Sequence, residues 1–406
     1  MILHSEDEHS EFSLLNNLNY NEAGDMLILT DVVIIRSNSI IYSTRVTKIG
    51  SSLSARYSLL ILGWNRENIK KAMIRQHNLN IKLFGLRAKL GRPSVIAYLP
   101  LFWVWILGNL FWHRPRIVHA CDLDTVLPCL LYKMIFRKKL IFDVCDRYAM
   151  AHISPRHKLI YKAVNLIEDQ SAKMATVLIT VAEKLLETFP SKPKYFDVIM
   201  NCSDDKFGTK VVSGKEKNTA EKFILVFPGT ISKDRGLEIV SDAIKGLKNV
   251  ELVIAGRVID QKLLERILNG PNVKYAGLLQ RIDALVLTSR SDVMVILYDP
   301  QVPNNNFSAS NKLFEAMMLG LPIITNVSSD IVDADTKCGI MVTYGDVNQL
   351  REAIIRLRDD LELRTHLANN GRKAYLRTYN WSNMEKKLFK IYENLFRTAS
   401  QKNSDF

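Results

Sequence analysis

The chain has 406 residues, 47% of them hydrophobic and 24% charged, which supplies two sizeable cores and excludes an intrinsically disordered protein. Its five cysteines (Cys121, Cys129, Cys145, Cys202, Cys338) are odd in number, scattered and without a CxxC pair; this argues against a disulfide scaffold or zinc site and for a reducing compartment. The net charge of +13 is concentrated, because Arg36 to Ala120 holds fourteen Lys and Arg against one acid, Glu67. A solvated basic face, a nucleic acid and an anionic lipid surface all suit such a stretch.

Residues 1–30 begin acidic, carry little pattern and read as an N-terminal extension; the start lacks the basic and apolar parts of a signal peptide. Asp31 to Arg36 (DVVIIR) is a short apolar run suited to a central parallel strand. A helix from about Thr44 to Arg56, a strand at Tyr57 to Gly63 and another at Ile81 to Gly85 follow. Strands alternating with helices predict a doubly wound α/β sheet. No Gly-x-Gly-x-x-Gly follows the first strand, which weighs against a dinucleotide-dependent oxidoreductase.

Val95 to Trp112 is eighteen residues without a charge. Pro100, Gly108 and Asn109 interrupt it. A buried domain helix, an apolar element lying in a membrane surface and a span are all compatible with this length. Trp103, Trp105 and Trp112 suit an interface. The next strand carries His119 at its C-terminal end, followed by Asp122, Leu123 and Asp124; the Asp-x-Asp is not read as a metal site. Leu140 to Asp146 is a further strand, ending in Asp143 and Asp146. In open α/β sheets this edge binds ligands, so Asp122 and Asp146 are candidate ligand-facing residues. A helix over about Pro155 to Met174, a strand at Val177 to Val181 and a helix at Ala182 to Thr188 complete a first domain closing near residue 208.

Residues 209–221 are polar and read as a linker to a second domain over 222–380. Phe223 to Phe227 opens it, and Pro228 to Gly236 leads into a helix. Val250 to Ala255 is the next strand, followed by Gly256 and Arg257. A helix spans Ile282 to Ser289, and Asp292 to Tyr298 is a buried-type strand. An Asn-rich loop then feeds a helix starting near Ser310, with Leu313, Phe314, Met317 and Met318 as its apolar face and Gly320 and Pro322 as its stop. Its N-terminus offers donors to an anion. Glu315, in the second turn, suits the hydroxyls of a ribose. Further helices run from about Leu361 to Thr378 and from Met384 to Phe396.

The run SASNKLFEAMMLGLPII resembles the donor-binding signature of retaining glycosyltransferases of family 4, which have the GT-B fold. VHACD, ATVLITVAEKL, VIMNCSDDKFG, VKYAG and Asn380-Trp381-Ser382 resemble other family motifs, in order, over about residues 31–398. The resemblance implies two Rossmann-like domains facing each other across a cleft, a C-terminal helix over residues 381–406 that crosses back to the first domain, and transfer of a sugar from a nucleotide diphosphate sugar with retention. It places Gly229, Thr230, Lys233, Arg235, Arg257, Ser308, Ala309, Ser310, Asn311, Lys312 and Glu315 at the donor. Lys233, Arg235 and the amides around Ser308 to Asn311 take the diphosphate, Glu315 takes the ribose, and His119 faces the transferred sugar, so that His119, Arg235 and Glu315 carry catalysis. Phe307 stands where the family has its first Glu, and Thr230 where an Arg is often found. No metal or other cofactor is expected. The expected partners are a nucleotide-sugar donor, a lipid-linked or glycan acceptor and an anionic membrane surface, with no nucleic acid, in the cytoplasm at the inner face of the cell membrane. A sugar-nucleotide epimerase or hydrolase on the same fold, and a non-catalytic scaffold subunit, remain open beside the transferase.

Overall fold

The computed structural model describes residues 30–401 apart from 39, 41–42, 67–68, 87–93, 155, 206–221 and 308–309. The N-terminal extension (but for Thr30) and the linker therefore lie outside the described residues. The chain forms two compact units, 1–198 with 387–406, and 199–386. The division falls after Val198 rather than at 208, and the final helix changes unit after Lys386.

The first unit contains β1 (Val32–Arg36), α1 (Thr44–Ser54), β2 (Leu59–Trp64), β3 (Met73–Gln76), β4 (Leu79–Phe84), α2 (Ser94–His113), β5 (Ile117–Cys121), α3 (Leu123–Phe136), β6 (Lys139–Val144), α4 (Tyr148–His152), α5 (Lys158–Met174), β7 (Val177–Thr180), α6 (Glu183–Glu187) and β8 (Tyr195–Val198). Its eight strands run β3-β4-β2-β1-β5-β6-β7-β8. All neighbours pair in parallel except β3 with β4. That hairpin turns on His77 and Asn78, both with positive φ (49° and 63°), the conformation a two-residue hairpin loop needs. The sequence there lacks the Asn-Gly or Asp-Gly that announces such a turn, so the reading above has no β3. Central strands β1 and β5 are apolar but for Arg36 and His119 and are buried on both faces, as a sheet covered on both sides requires.

From β1 the chain steps to β2 on one side of the sheet. From β4 through β5 and β6 to β7 it steps the other way. Right-handed crossovers therefore set α2, α3 and α5 on one face of the sheet and α1 on the opposite face.

The second unit contains β9 (Phe223–Pro228), a 3₁₀ turn at Lys233–Arg235, α7 (Leu237–Ile244), β10 (Val250–Ala255), α8 (Gln261–Leu268), β11 (Val273–Tyr275), α9 (Arg281–Ser289), β12 (Val293–Ile296), α10 (Asn311–Leu319), β13 (Ile323–Thr325), β14 (Gly339–Met341), α11 (Val347–Asp359) and α12 (Leu361–Arg377). Its sheet is parallel, in the order β11-β10-β9-β12-β13-β14. Phe227, Ile231, Leu237, Ile254, Val295 and Leu297 belong to one buried cluster under the strand ends. The last helix, α13 (Trp381–Gln401), is continuous. The structure is α/β with two Rossmann-like parallel-sheet domains.

Candidate active site

Each sheet reverses its winding once. In the second unit the reversal lies between β9 and β12, where open α/β sheets hold ligands beyond their carboxyl ends. Beyond β9 come Gly229 and Thr230, beyond β10 Gly256 and Arg257, and beyond β12 Leu297 and Tyr298. Gly256 (φ +138°) passes so close to β9 that a Cβ there would lie 2.2 Å from the Gly229 carbonyl oxygen. A Cβ on Gly229 would in turn meet Lys312 Cε at 2.5 Å. Position 256 therefore needs glycine for its backbone conformation and close approach, and Lys312 lies directly over Gly229.

Tyr298 gathers the charged groups. The Arg235 guanidinium lies 4.3 Å from its ring centre, and Lys312 Nζ 5.7 Å from it and 5.1 Å from that of Phe227. Its hydroxyl shares a 2.7 Å hydrogen bond with Ser310 Oγ. Burial alone would push the Tyr298 phenol up, but the Lys312 and Arg235 cations outweigh it and hold the phenol below its ordinary value. Ser310 caps α10, accepting the Lys312 amide at 3.3 Å. Lys312 and Glu315, three residues apart, share one helix face. Glu315 is mostly buried, with Oε1 3.8 Å from Arg281 Nη2. One cluster thus holds two cations, a capped helix start and a carboxylate one turn further along.

Among the other expected donor residues, Lys233 is 83% exposed and sits 3.9 Å from Asp260, outside the Tyr298 cluster. The 3₁₀ turn sets Arg235 against the Tyr298 ring and leaves Lys233 exposed. Arg257 and Asn311 are exposed and Thr230 half-buried. The Arg257 carbonyl accepts the Ile231 amide at 2.8 Å, tying the two glycine loops together. Ser308 and Ala309 lie outside the described residues. Phe307 follows a 3₁₀ turn, Pro303–Asn306. The sequence reading did not single out Tyr298, Phe227 or Arg281; an aromatic closing a buried strand beside a Lys-bearing helix start was the available signal.

In the first unit the winding reverses between β1 and β5. Arg36 at the end of β1 lies 3.7 Å from Asp122, and Ser37 Oγ donates to Asp124. Asp122 has φ +66°, strained for a non-glycine residue, and its carboxylate accepts the Cys145 amide at 3.0 Å. Burial pushes the Asp122 carboxyl up to about 7 against the pull of Arg36, with Asp124 and Asp146 adding repulsion. Asp122 and Asp146 both stand half-buried at this edge.

His119 does not face an open edge. It is fully buried, and both ring nitrogens have partners within its own unit: Nδ1 lies 2.7 Å from the Tyr392 hydroxyl and Nε2 3.2 Å from Asp143. Asp143 also accepts Arg45 Nε at 2.7 Å and Nη2 at 2.5 Å, all inside the core. The expectation of a sugar-facing histidine thus meets a core network instead. His119, Cys121 and Asp143 have spacing that could hold a metal ion, but Arg45 occupies the carboxylate, so a dication there would face a guanidinium.

The family model for glycosyl transferases group 1 matches residues 222–360, the unit that carries the Tyr298 cluster. An uncharacterised glycosyltransferase of Methanocaldococcus jannaschii is 23% identical over 372 residues, covering 84% of this chain and 90% of that protein. Sucrose-phosphate synthase from Thermosynechococcus elongatus superposes with a TM-score of 0.73 at 16% identity, over 90% of this chain and 99% of that one. The Anabaena protein Alr3699/HepE, solved with UDP and glucose, gives 0.70 at 12%, over 90% of this chain and all of that one. The fold is GT-B. Together with the group 1 domain and the full-length relative, it indicates a glycosyltransferase.

Proposed function

We infer that this protein transfers a sugar from a nucleoside diphosphate sugar, with retention at the anomeric carbon, to a lipid-linked or otherwise membrane-associated glycan acceptor. The reading serves polysaccharide, glycolipid or glycoprotein glycan assembly at the inner face of the cell membrane. The observation that carries it is the convergence of Arg235 and Lys312 on Tyr298 at the switch point of the second sheet. Two cations beside a helix N-terminus suit a diphosphate. The charge of the leaving diphosphate must be stabilised as the glycosidic bond breaks, and preorganised cations in a low-dielectric crevice do this without reorganising. Arg235 and Lys312 thereby take the part a metal ion would otherwise play.

Glu315 binds the ribose hydroxyls, one turn beyond Lys312. Arg281, with Nη2 3.8 Å from Glu315 Oε1, stands beside that carboxylate. Asp122 and Asp146, at the switch point of the first sheet, offer acceptors to glycan hydroxyls. His119 holds Asp143 and Tyr392 in place rather than touching sugar.

Glu315→Gln tests the reading. A hydrogen bond to a charged group contributes about 1.5–3 kcal/mol, so donor affinity should fall roughly 10- to 150-fold with the fold intact. Calorimetric titration of a nucleoside diphosphate measures it; unchanged affinity removes Glu315 from the donor.

A further inference from the structure

Helices α2, α3 and α5 of the first unit lie side by side on one sheet face, and their outward sides are apolar. The α2 stripe of Phe102, Ile106 and Leu110 is buried against the unit, with Phe102 packed on Trp64 and Phe84. Leu101, Val104, Phe111 and Trp112 face out. On α3, Leu131, Met134 and Ile135 are exposed at spacings that form a single outward stripe, where a surface helix should be polar. On α5, Leu159, Ile160, Leu166, Ile167 and Met174 are exposed. The three surfaces are continuous. Phe111 of α2 packs on Tyr132 and Phe136 of α3, and Lys133 of α3 donates to the Met174 carbonyl of α5. So broad an open apolar area marks an interaction face.

The charge on this face has one sign. Lys158, Lys162 and Lys173 are exposed on α5, and Arg114 and Arg137 are exposed just past the ends of α2 and α3. The acids of the three helices are all engaged inside the unit: Asp124 by Ser37, and Glu168 and Asp169 by Arg147 at 2.9 and 2.7 Å. A second copy of the chain would set these cations against themselves across a two-fold axis. An anionic bilayer matches both the apolar area and the charge.

We propose that α2, α3 and α5 form a single docking face that lies in the surface of an anionic lipid bilayer, with Val104, Met134 and Leu166 among the side chains that enter the acyl boundary. This deepens the membrane-acceptor reading above and rests on it. Although Val95–His113 is long and apolar enough to cross a membrane, its buried stripe ties it to the unit, so it lies in the interface. Trp103 and Trp105 are not the inserting rings expected from the sequence. Trp103 Nε1 donates to the Asp124 carbonyl at 2.7 Å, and Trp105 packs on Phe84 and Phe102, while Trp112 is open.

Flotation of the full-length protein with phosphatidylcholine vesicles, with and without phosphatidylglycerol, tests this. Binding should require the anionic lipid and should weaken but persist between about 0.1 M and about 1 M salt, as the Debye length falls from about 10 Å to about 3 Å. Arg137→Gln and Lys173→Gln should each lower partitioning about fivefold at low salt. Val104→Glu with Met134→Glu and Leu166→Glu, all at exposed positions, should abolish the salt-resistant part while nucleoside diphosphate binding by the same samples is unchanged. The proposal falls if the wild type does not float with anionic vesicles at low salt. It also falls if the triple variant floats like wild type, or if light scattering shows a dimer that the triple variant dissociates. Donor binding without flotation overturns the docking face alone; flotation without donor binding supports it and overturns the transferase reading.

Discussion

Removing both cations from Tyr298, by Arg235→Ala with Lys312→Ala, is expected to abolish measurable binding of nucleoside diphosphates while leaving nucleoside binding within about threefold. Each charge-assisted contact to phosphate contributes about 1.5–3 kcal/mol, or roughly 10- to 150-fold in affinity. The two side chains share one ring, so their losses should not simply add. The single variants therefore complete the test. Neither cation is a buried core residue, because Arg235 ends a 3₁₀ turn and Lys312 lies over Gly229, both of them half-buried. Titration calorimetry with a nucleoside and its diphosphate measures the difference. Equal loss for both ligands would make the residues supports of the loop and not diphosphate ligands.

The second large effect is on stability. Asp143→Ala is expected to destabilise the first unit by about 3–5 kcal/mol, because it leaves the Arg45 guanidinium buried without its partner. Burial alone would raise the Asp143 carboxyl, but Arg45 and His119 overcome it and hold the pKa well below the usual carboxylate range. A carboxyl depressed in the folded state contributes stability that is fully present above its unfolded value of about 4 and is lost as pH falls toward the folded one. The wild type should therefore lose stability on acidification below about pH 4, and Asp143→Ala should flatten that part of the curve. Four of the five tryptophans (Trp64, Trp103, Trp105, Trp112) lie in this unit, so fluorescence-detected urea unfolding follows it. A loss below about 1 kcal/mol would show that the network does not hold the core.

The outcome for His119 shows where the sequence stops being informative. The strand itself was legible, because Ile117 to Cys121 is a largely apolar run closed by polar residues, but His119 is its middle residue and not its end. The partners of His119 were not legible. Arg45 joins Asp143 from 98 positions earlier, and Tyr392 reaches the ring from 273 positions later, so no local pattern announces the network. The donor residues were legible for the opposite reason. Ser310, Lys312 and Glu315 sit within one helix start, where capping and helical spacing fix their relation, and Gly229 and Arg235 follow a strand end. Tyr298 escaped because a tyrosine ending a buried strand looks like core until the Arg and Lys on either side of it are seen. Lys233 and Arg235 are two residues apart in a tight turn, and only the folded turn decides which one meets Tyr298.

The membrane face divides similarly. The uncharged run from Val95 was plain in the sequence, but the inserting side chains depend on which stripe the sheet claims. That stripe took in the environment of Trp103 and Trp105 and left Val104 and Trp112 outside. The contributions of α3 and α5 were invisible, because exposed apolar positions on a short helix read as core positions until their packing is known.

The central claim, a nucleoside diphosphate sugar bound at the switch point of the second sheet, is tested most directly by titrating the purified protein calorimetrically with a panel of nucleoside diphosphate sugars, their nucleoside diphosphates and the free nucleosides. One base series should bind, with the diphosphate supplying most of the affinity, and that binding should disappear in the Arg235→Ala, Lys312→Ala protein. Saturation at about a hundred times the dissociation constant should also stabilise the fold by about 2.7 kcal/mol. Absence of binding by every member of the panel to well-folded protein would contradict the account.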